Sequence, residues 1–235
     1  MLARSPYDAI LASSASEVLK SQYQRKRPKS MEALVDFAMN FDYRGLNFKP
    51  FQVRSEIAGL LKLVKERKPK VILEIGTAKG GTLFLFSKVA PRDARIISLD
   101  FPLYPMEKTL RKWRFTLFKS FADQSQKMYI LWRDSHRQST LQEIKDLLGG
   151  AKVDFLFIDG DHRYEGVKKD FEMYSPLVSK DGLIAFHDVV KHPPEQHSHV
   201  DEYFDQLGKR YKTIRIVENE KQGWGGIGVI KMGSN

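Results

Sequence analysis

Asp159-Gly160-Asp161-His162 and His187-Asp188 are the residues of this chain best placed to do chemistry together. Each group closes a short apolar run, VDFLFI at 153–158 and GLIAF at 182–186. If those runs are neighbouring strands, their tips meet, and adjacent carboxylates repel unless a proton or a cation lies between them. A hard divalent ion such as Mg²⁺, which takes oxygen ligands at about 2.0–2.1 Å, resolves that conflict. Asp-Gly is also ordinary turn chemistry, and either histidine alone reads as a structural hydrogen-bonding group. Their concentration at two successive run ends points to a site.

A second constellation precedes them: VILEI (71–75) runs into Gly76-Thr77-Ala78-Lys79-Gly80-Gly81-Thr82. A phosphate-binding P-loop needs G-x-x-x-x-G-K-[ST], and Thr82 stands where its lysine belongs. A dinucleotide loop needs G-x-G-x-x-G, and Ala78 replaces its middle glycine. S-adenosylmethionine carries no phosphate; a tight turn with exposed backbone groups and a nearby acid, Glu74, suits its positive charge. Asp100 ends the next apolar run about 20 residues after the turn, where a carboxylate can bridge two ribose hydroxyls. Asp134-Ser135 follows the third run; Asp134 there is either an adenine acceptor or a helix-capping turn residue.

Positioning these groups requires alternating elements. Apolar, β-branched runs occur at 71–75, 95–100, 128–132, 153–159, 182–188, 212–217 and 226–231. Helical periodicity lies between the earlier ones, over 82–89, 107–122, 139–148, 164–174 and 200–211, and precedes them at 52–67, where Val53, Ile57, Leu60, Leu61 and Val64 form one face. Most strands are apolar throughout, as in a parallel sheet covered on both sides. The expected architecture is α/β, a Rossmann-like, mostly parallel seven-stranded sheet with helices on both faces and an antiparallel last strand. Ligands of such sheets sit beyond the carboxyl ends of the strands, where the polar residues above fall. Residues 1–48 read as an N-terminal helical extension, a lid or an oligomer contact, with helical patterns at 8–20 and 31–39 around the basic linker Arg25–Lys29. Residues 49–235 form the main domain.

Composition narrows the class. With 39 basic and 29 acidic residues in 235, the net charge is +10, which admits nucleic acid, anionic headgroups or acidic small molecules as partners. The absence of cysteine excludes disulfides, thiolate metal sites and thiol nucleophiles. No apolar run approaches the roughly 20 residues of a membrane span, and Asp8 and the serines at 13–16 interrupt any leader-like stretch. A cytoplasmic protein is expected.

VILEIGTAKGGT, IISLD, DFLFIDGDHRYEGVKKDF and GLIAFHD together resemble class I S-adenosylmethionine-dependent methyltransferases. Within that class the chain is similar to the branch of cephalosporin-hydroxylase-like proteins and rhamnosyl and macrolide-sugar O-methyltransferases. The resemblance runs from about Pro50 to Met232. It implies a cofactor seat at Glu74, Gly76, Thr77, Gly80, Gly81, Asp100, Asp134, Ser135 and Asp159. It also implies a divalent metal, Mg²⁺ or Mn²⁺, on Asp159, Asp188 and His187, with His162 as the base three residues after Asp159. His187 departs from the acid–acid or acid–amide pair common in those relatives, and imidazole favours softer ions.

The expected reaction is O-methylation of a sugar, glycan or other small polyhydroxylated acceptor, a vicinal diol fitting best because two hydroxyls can chelate the ion. The D/N-P-P-Y motif of nitrogen methylation is missing. The segment from Phe101 to Phe121 carries Lys108, Arg111, Lys112, Arg114 and Lys119 among Tyr104, Trp113 and Phe115; it reads as a lid helix or as a surface for an anionic acceptor. His192, His197 and His199 lie in a loop that reads as part of the active-site rim. The alternative is an RNA methyltransferase or RNA-binding protein using the basic surface, with nucleic acid the less favoured partner. An NAD(P) oxidoreductase with Tyr104/Lys108 or Tyr164/Lys168 is disfavoured by Ala78. A homo-oligomer is compatible with everything above.

Overall fold

The computed structural model describes residues 6–101, 114–123 and 125–233. Its centre is one seven-stranded sheet in the order β3-β2-β1-β4-β5-β7-β6. The strands are β1 (Val71–Ile75), β2 (Arg95–Asp100), β3 (Lys127–Trp132), β4 (Val153–Ile158), β5 (Val178–His187), β6 (Thr213–Ile216) and β7 (Ile227–Lys231). β1 to β5 pair in parallel, and β7 runs antiparallel to both β5 and β6. β1 is buried at all five positions, as expected of a strand covered on both faces.

Among the described residues, seven helices with complete bounds flank the sheet. They are α1 (Pro6–Lys26), α2 (Met31–Asn40), α3 (Arg54–Arg67), α4 (Gly81–Val89), α5 (Gln138–Leu148), α6 (Tyr164–Tyr174) and α7 (Val200–Leu207); residues 114–119 are helical as well. α1 to α4 cover one face and α5 to α7 the other, each side closing its own apolar cluster. None of the described helices is long and apolar enough to cross a membrane.

The sequence places β5 at 182–188, yet the chain is already extended from Val178. Val178 pairs with Val153, the register shifts, and pairing resumes at Leu183 with Phe155. Asp181-Gly182 therefore sits inside an irregular strand and does not begin it. Of the expected lid, Phe101 to Phe121, residues 102–113 lie outside the described residues. Its visible end belongs to the core, with Leu117, Phe118 and Phe121 buried.

Residues from Ala12 to Phe48 are integral to the core. Ala12, Ala15, Ser16 and Leu19 recur at helical spacing on α1 and are buried. Ser30 starts α2 by accepting from the Ala33 amide at 3.1 Å, and Leu34, Val35, Phe37 and Ala38 turn inward. Phe37 stacks on Phe84 of α4 with centroids 5.7 Å apart; Phe48 meets Phe84 at 4.7 Å and Phe121 at 4.9 Å. Arg54 holds Asp36 with two hydrogen bonds, 2.5 and 2.7 Å, fixing the start of α3 against α2. Phe37→Ala should therefore lower unfolding free energy by about 3–5 kcal/mol in urea titration. A loss under 1 kcal/mol would mean that α2 is a detachable appendage.

Candidate active site

The parallel register sets Ile158 beside Phe186, so the residues after β4 and β5 emerge together at the carboxyl edge. Asp159 and Asp188 do converge. His162 lies between them, its Nδ1 2.7 Å from Asp188 Oδ2 and its Nε2 3.5 Å from Asp159 Oδ1. His187 turns Nδ1 toward the same two carboxylates, at 3.2 and 3.3 Å. It is the deeper imidazole, with a side chain 6% exposed against 40% for His162. Its Nε2 is buried without a partner.

Asp188 has a φ of +64°, a left-handed conformation that costs a non-glycine residue about 1–2 kcal/mol. The contacts of its carboxylate offset that cost: besides His162, Oδ1 accepts from the Gly225 amide at 3.0 Å and lies 3.1 Å from His192 Nε2. Asp159 is anchored through its own amide, which donates to Ile75 O at 2.8 Å, and Oδ2 accepts from Gln52 Nε2 at 2.7 Å. Asp161, grouped with these residues in the sequence, points elsewhere. Arg163 grips it with Nε and Nη2, and its carboxyl carbon lies where a Cβ on Gly166 would stand.

Charge follows from this packing. Burial opposes ionisation of both imidazoles, but the two carboxylates outweigh it, pushing His162 up to about 11 and His187 up to about 10. Burial likewise opposes ionisation of Asp159 and Asp188, and the paired imidazoles hold both below the ordinary carboxylate range. Asp159, His162 and Asp188 each offer one ligand atom, all within 4.8 Å of one another. The two carboxylate oxygens suit Mg²⁺, Mn²⁺ or a similar divalent ion. The set differs from the expected one by His162 in the place of His187.

The glycine loop abuts this cluster. Gly76, at φ +97°, gives its amide to Leu99 O at 2.8 Å, and a Cβ there would stand 2.0 Å from the Asp159 carbonyl oxygen. Only glycine lets β1 and β4 close so tightly. Gly80, in the left-handed region at φ +85°, caps α4. Gly81 makes room for Pro50, whose nitrogen would lie 2.4 Å from an added Cβ. Thr77 Oγ1 and Ser98 Oγ are 2.6 Å apart, and Ser98 donates to Glu74 Oε2 at 2.5 Å. Glu74 is wholly buried under the loop, and burial pushes its carboxyl up to about 8. Asp100 accepts from the Ala78 amide at 3.1 Å, tying the β2 tip to the loop. Asp134 forms a turn, accepting from the His136 amide at 2.9 Å with Arg137 at 3.3 Å; Ser135 gives its carbonyl to Tyr174.

The cleft over this loop is narrow. Lys49, Pro50, Phe51 and Gln52 cross it as a strap, with the Lys79 ammonium 5.2 Å from the Phe51 ring centroid, leaving a cavity of about 10 Å³ beside Thr77 and Asp159. That holds about one water. The polar groups of the loop fit an adenosyl ligand, but the volume fits one only when the strap lifts. A larger cavity, about 550 Å³, opens at the start of α6, among His136, Asp161, Arg163, Lys169, His197 and His199. The His199 amide donates to His162 O at 2.9 Å, which ties that wall to the cluster. Fully buried Asp170 faces His136 at 3.3 Å and raises its pKa.

Several sequence expectations meet other partners. Tyr164 OH donates to Gln206 Oε1 at 2.7 Å while Lys168 lies 3.9 Å from Glu165, so this Tyr/Lys pair is engaged apart. Tyr104, Lys108, Arg111, Lys112 and Trp113 lie outside the described residues. Lys119 donates to Met128 O. His192 and His199 bond Gln196 and Glu202 within the rim. Gln52, Glu56 and His136 were not singled out from sequence; the closely spaced glycines at 223–226 were the one local signal for the loop at Asp188.

Comparison with known proteins agrees with this geometry. Residues 73–189, from the glycine-loop strand to Asp188, match the family described as a methyltransferase domain. Among curated proteins the chain is 31% identical over 144 residues to uncharacterized protein R132 of Acanthamoeba polyphaga mimivirus, covering 60% of this chain and 61% of that one. It is 28% identical over 127 residues to uncharacterized protein y4gI of Sinorhizobium fredii, covering 54% of this chain and 14% of that one. The chain thus spans less than two thirds of these relatives. The fold matches the O-methyltransferase TomG of Streptomyces achromogenes, solved with S-adenosylmethionine, at TM-score 0.55 and 18% identity over 85% of this chain and 90% of that one. It also matches an O-methyltransferase of Bacillus cereus, solved with S-adenosylhomocysteine, at 0.56 and 17% over 93% and 90%. These comparisons show a match to a methyltransferase domain over residues 73–189 and a fold shared with solved O-methyltransferases.

The cluster dictates a pH dependence of stability in the cation-free protein. His162 and His187 have raised pKa values, so their contribution is whole below about pH 6.5 and is lost as pH rises toward their folded values. Asp159 and Asp188 are lowered, so theirs is present above about pH 4 and lost below it. Glu74 steepens the alkaline loss, because above about pH 4.5 it ionises only when unfolded, until its folded value is passed. With chelator present, Tm should be highest between about pH 4 and 6.5 and fall above, and Asp188→Asn should flatten the alkaline fall. A parent Tm that climbs from pH 6 to 9 would contradict these charge assignments.

Proposed function

We propose that this protein is an O-methyltransferase that moves the methyl group of S-adenosylmethionine to a hydroxyl of a sugar, glycan or other small polyhydroxylated molecule, assisted by a divalent cation. The observation that carries the reading is the meeting of Asp159, His162 and Asp188 at two strand tips beside the glycine loop. O-methyl transfer by the two structural neighbours supports the same chemistry.

The chain's own groups have distinct parts. Asp188 fixes His162 through Nδ1 and so presents Nε2, the looser nitrogen, toward Asp159. Bound between the carboxylates, a cation would offset their charge, lower the pKa of His162 toward neutrality, and polarise an acceptor hydroxyl. With Asp159 and Asp188 holding the cation, His162 would stay off it and take the hydroxyl proton at Nε2. S-adenosylmethionine would supply an electrophilic methyl group on sulfur, which the acceptor oxygen would take as the carbon–sulfur bond breaks, with a neutral thioether as leaving group. Gly76, Thr77 and Asp100 would hold the donor, and alignment would be the main contribution of the protein. The 550 Å³ cavity at the start of α6, which follows His162 in the chain, is the candidate seat for the remainder of the acceptor; its imidazoles and Lys169, with Asp161 and Glu165 among them, suit a hydroxyl-rich group.

Calorimetric titration of S-adenosylhomocysteine and Mn²⁺ on the parent and on Asp159→Asn tests this reading. Cofactor product should bind both within about threefold, while Mn²⁺ uptake should be lost in the variant and methyl transfer should fall about a hundredfold or more. Equal Mn²⁺ uptake by the two proteins would falsify the cation assignment. Methyl transfer to amines but to none of a panel of glycosides and nucleotide sugars would remove the O-methylation reading.

A further inference from the structure

Asp188 adopts a strained backbone conformation, and its carboxylate needs fixed partners. One partner, the Gly225 amide, belongs to the loop joining β6 to β7, which has no regular hydrogen-bond ladder of its own. The loop is instead organised by a carboxylate from the far side of the chain. Glu56, in the first turn of α3 and 1% exposed, accepts three hydrogen bonds from it. Oε1 takes the Glu218 amide at 3.0 Å and Gln222 Nε2 at 2.8 Å; Oε2 takes the Gly226 amide at 2.8 Å.

Successive amides thus serve successive carboxylates: Gly225 N–H goes to Asp188 and Gly226 N–H to Glu56. Both glycines have positive φ, +72° and +78°, which other residues adopt with difficulty. A Cβ at Gly226 would also stand 2.7 Å from Val190 Cγ2. The loop closes on the Asp188 turn through two backbone hydrogen bonds, Val190 N to Gly225 O at 2.9 Å and Val189 N to Gly226 O at 3.3 Å. The helix carrying Glu56 is itself pressed onto β6, where Ile216 Cγ2 lies 2.8 Å from the place of a Cβ on Gly59. One turn earlier Gln52 reaches Asp159.

We propose that Glu56 is a positioning residue that fixes Asp188 through the Gly225–Gly226 amide pair. All three of its partners are donors, so a neutral amide of the same shape cannot replace it: Glu56→Gln sets an NH₂ against at least one N–H. The catalytic consequence rests on the reading of Asp188 given above; the structural link does not. A structural role alone lowers Tm and leaves turnover per folded molecule unchanged.

The test compares the full-length parent, Glu56→Gln and Asp36→Asn, the last loosening the same end of α3 at its exposed ion pair with Arg54. In Glu56→Gln, hydrogen exchange at Gly225 and Gly226 should accelerate about tenfold or more, Mn²⁺ affinity should weaken and kcat fall by a similar factor, with KM for S-adenosylmethionine within about twofold. Asp36→Asn should match the parent in kcat and at those amides. Parent-like kcat in Glu56→Gln, or a reduced kcat with unchanged Gly225 protection, overturns the proposal. If the parent neither binds Mn²⁺ nor transfers methyl groups, the functional reading fails, and unchanged Gly225 exchange would still refute the link. Should Glu56→Gln not fold, Glu56→Asp, which keeps the charge but shortens the reach, is read by the same measurements.

Discussion

Two carboxylates held side by side at the ends of adjacent parallel strands constrain everything around them. Asp159 and Asp188 cannot both be ionised there without positive charge between them. In the cation-free protein two imidazolium groups supply it, and a divalent ion would do so more compactly. The surroundings read as devices for keeping the pair together. Gly76 lets β1 close on the Asp159 backbone, the left-handed turn at Asp188 aims its carboxylate inward, and His187 is buried beside both.

The N-terminal third is part of this arrangement. α1 and α2 seal the apolar face over α4, and the chain then crosses the glycine loop as a strap before entering α3. Within one helical turn it sends Gln52 to one carboxylate and Glu56 to the loop that holds the other. The same strap narrows the cleft over the glycine loop, and its Gln52 holds one Asp159 carboxylate oxygen at 2.7 Å.

The sheet was legible because its signals are local. VILEI, RIISLD and VDFLFI are apolar at nearly every position and end in Gly, Pro or acidic residues, and α6 announces itself by periodicity to the residue. The meeting of Asp159 with Asp188 was legible too, since it needs only strand adjacency. What escaped were contacts with no local pattern. Gln52 and Asp159 are 107 positions apart, Glu56 and Gly226 170, and nothing in the apolar face of α3 marks those two polar residues as different from any others. Asp161 misled for the opposite reason: it lies in the right motif, but Arg163, two residues on, captures it. The start of β5 was hidden because a register shift lets Asp181-Gly182 sit inside a strand.

The central claim is that Asp159 and Asp188 close around a divalent ion. It is tested most directly by an anomalous difference map from crystals grown with Mn²⁺ and S-adenosylhomocysteine. The account predicts one strong peak within ligand distance of Asp159 and Asp188, with Gln52 withdrawn from Asp159 and the strap lifted from the cleft. A map in which the product occupies the cleft while His162 still bridges the two carboxylates, with no peak between them, would contradict it.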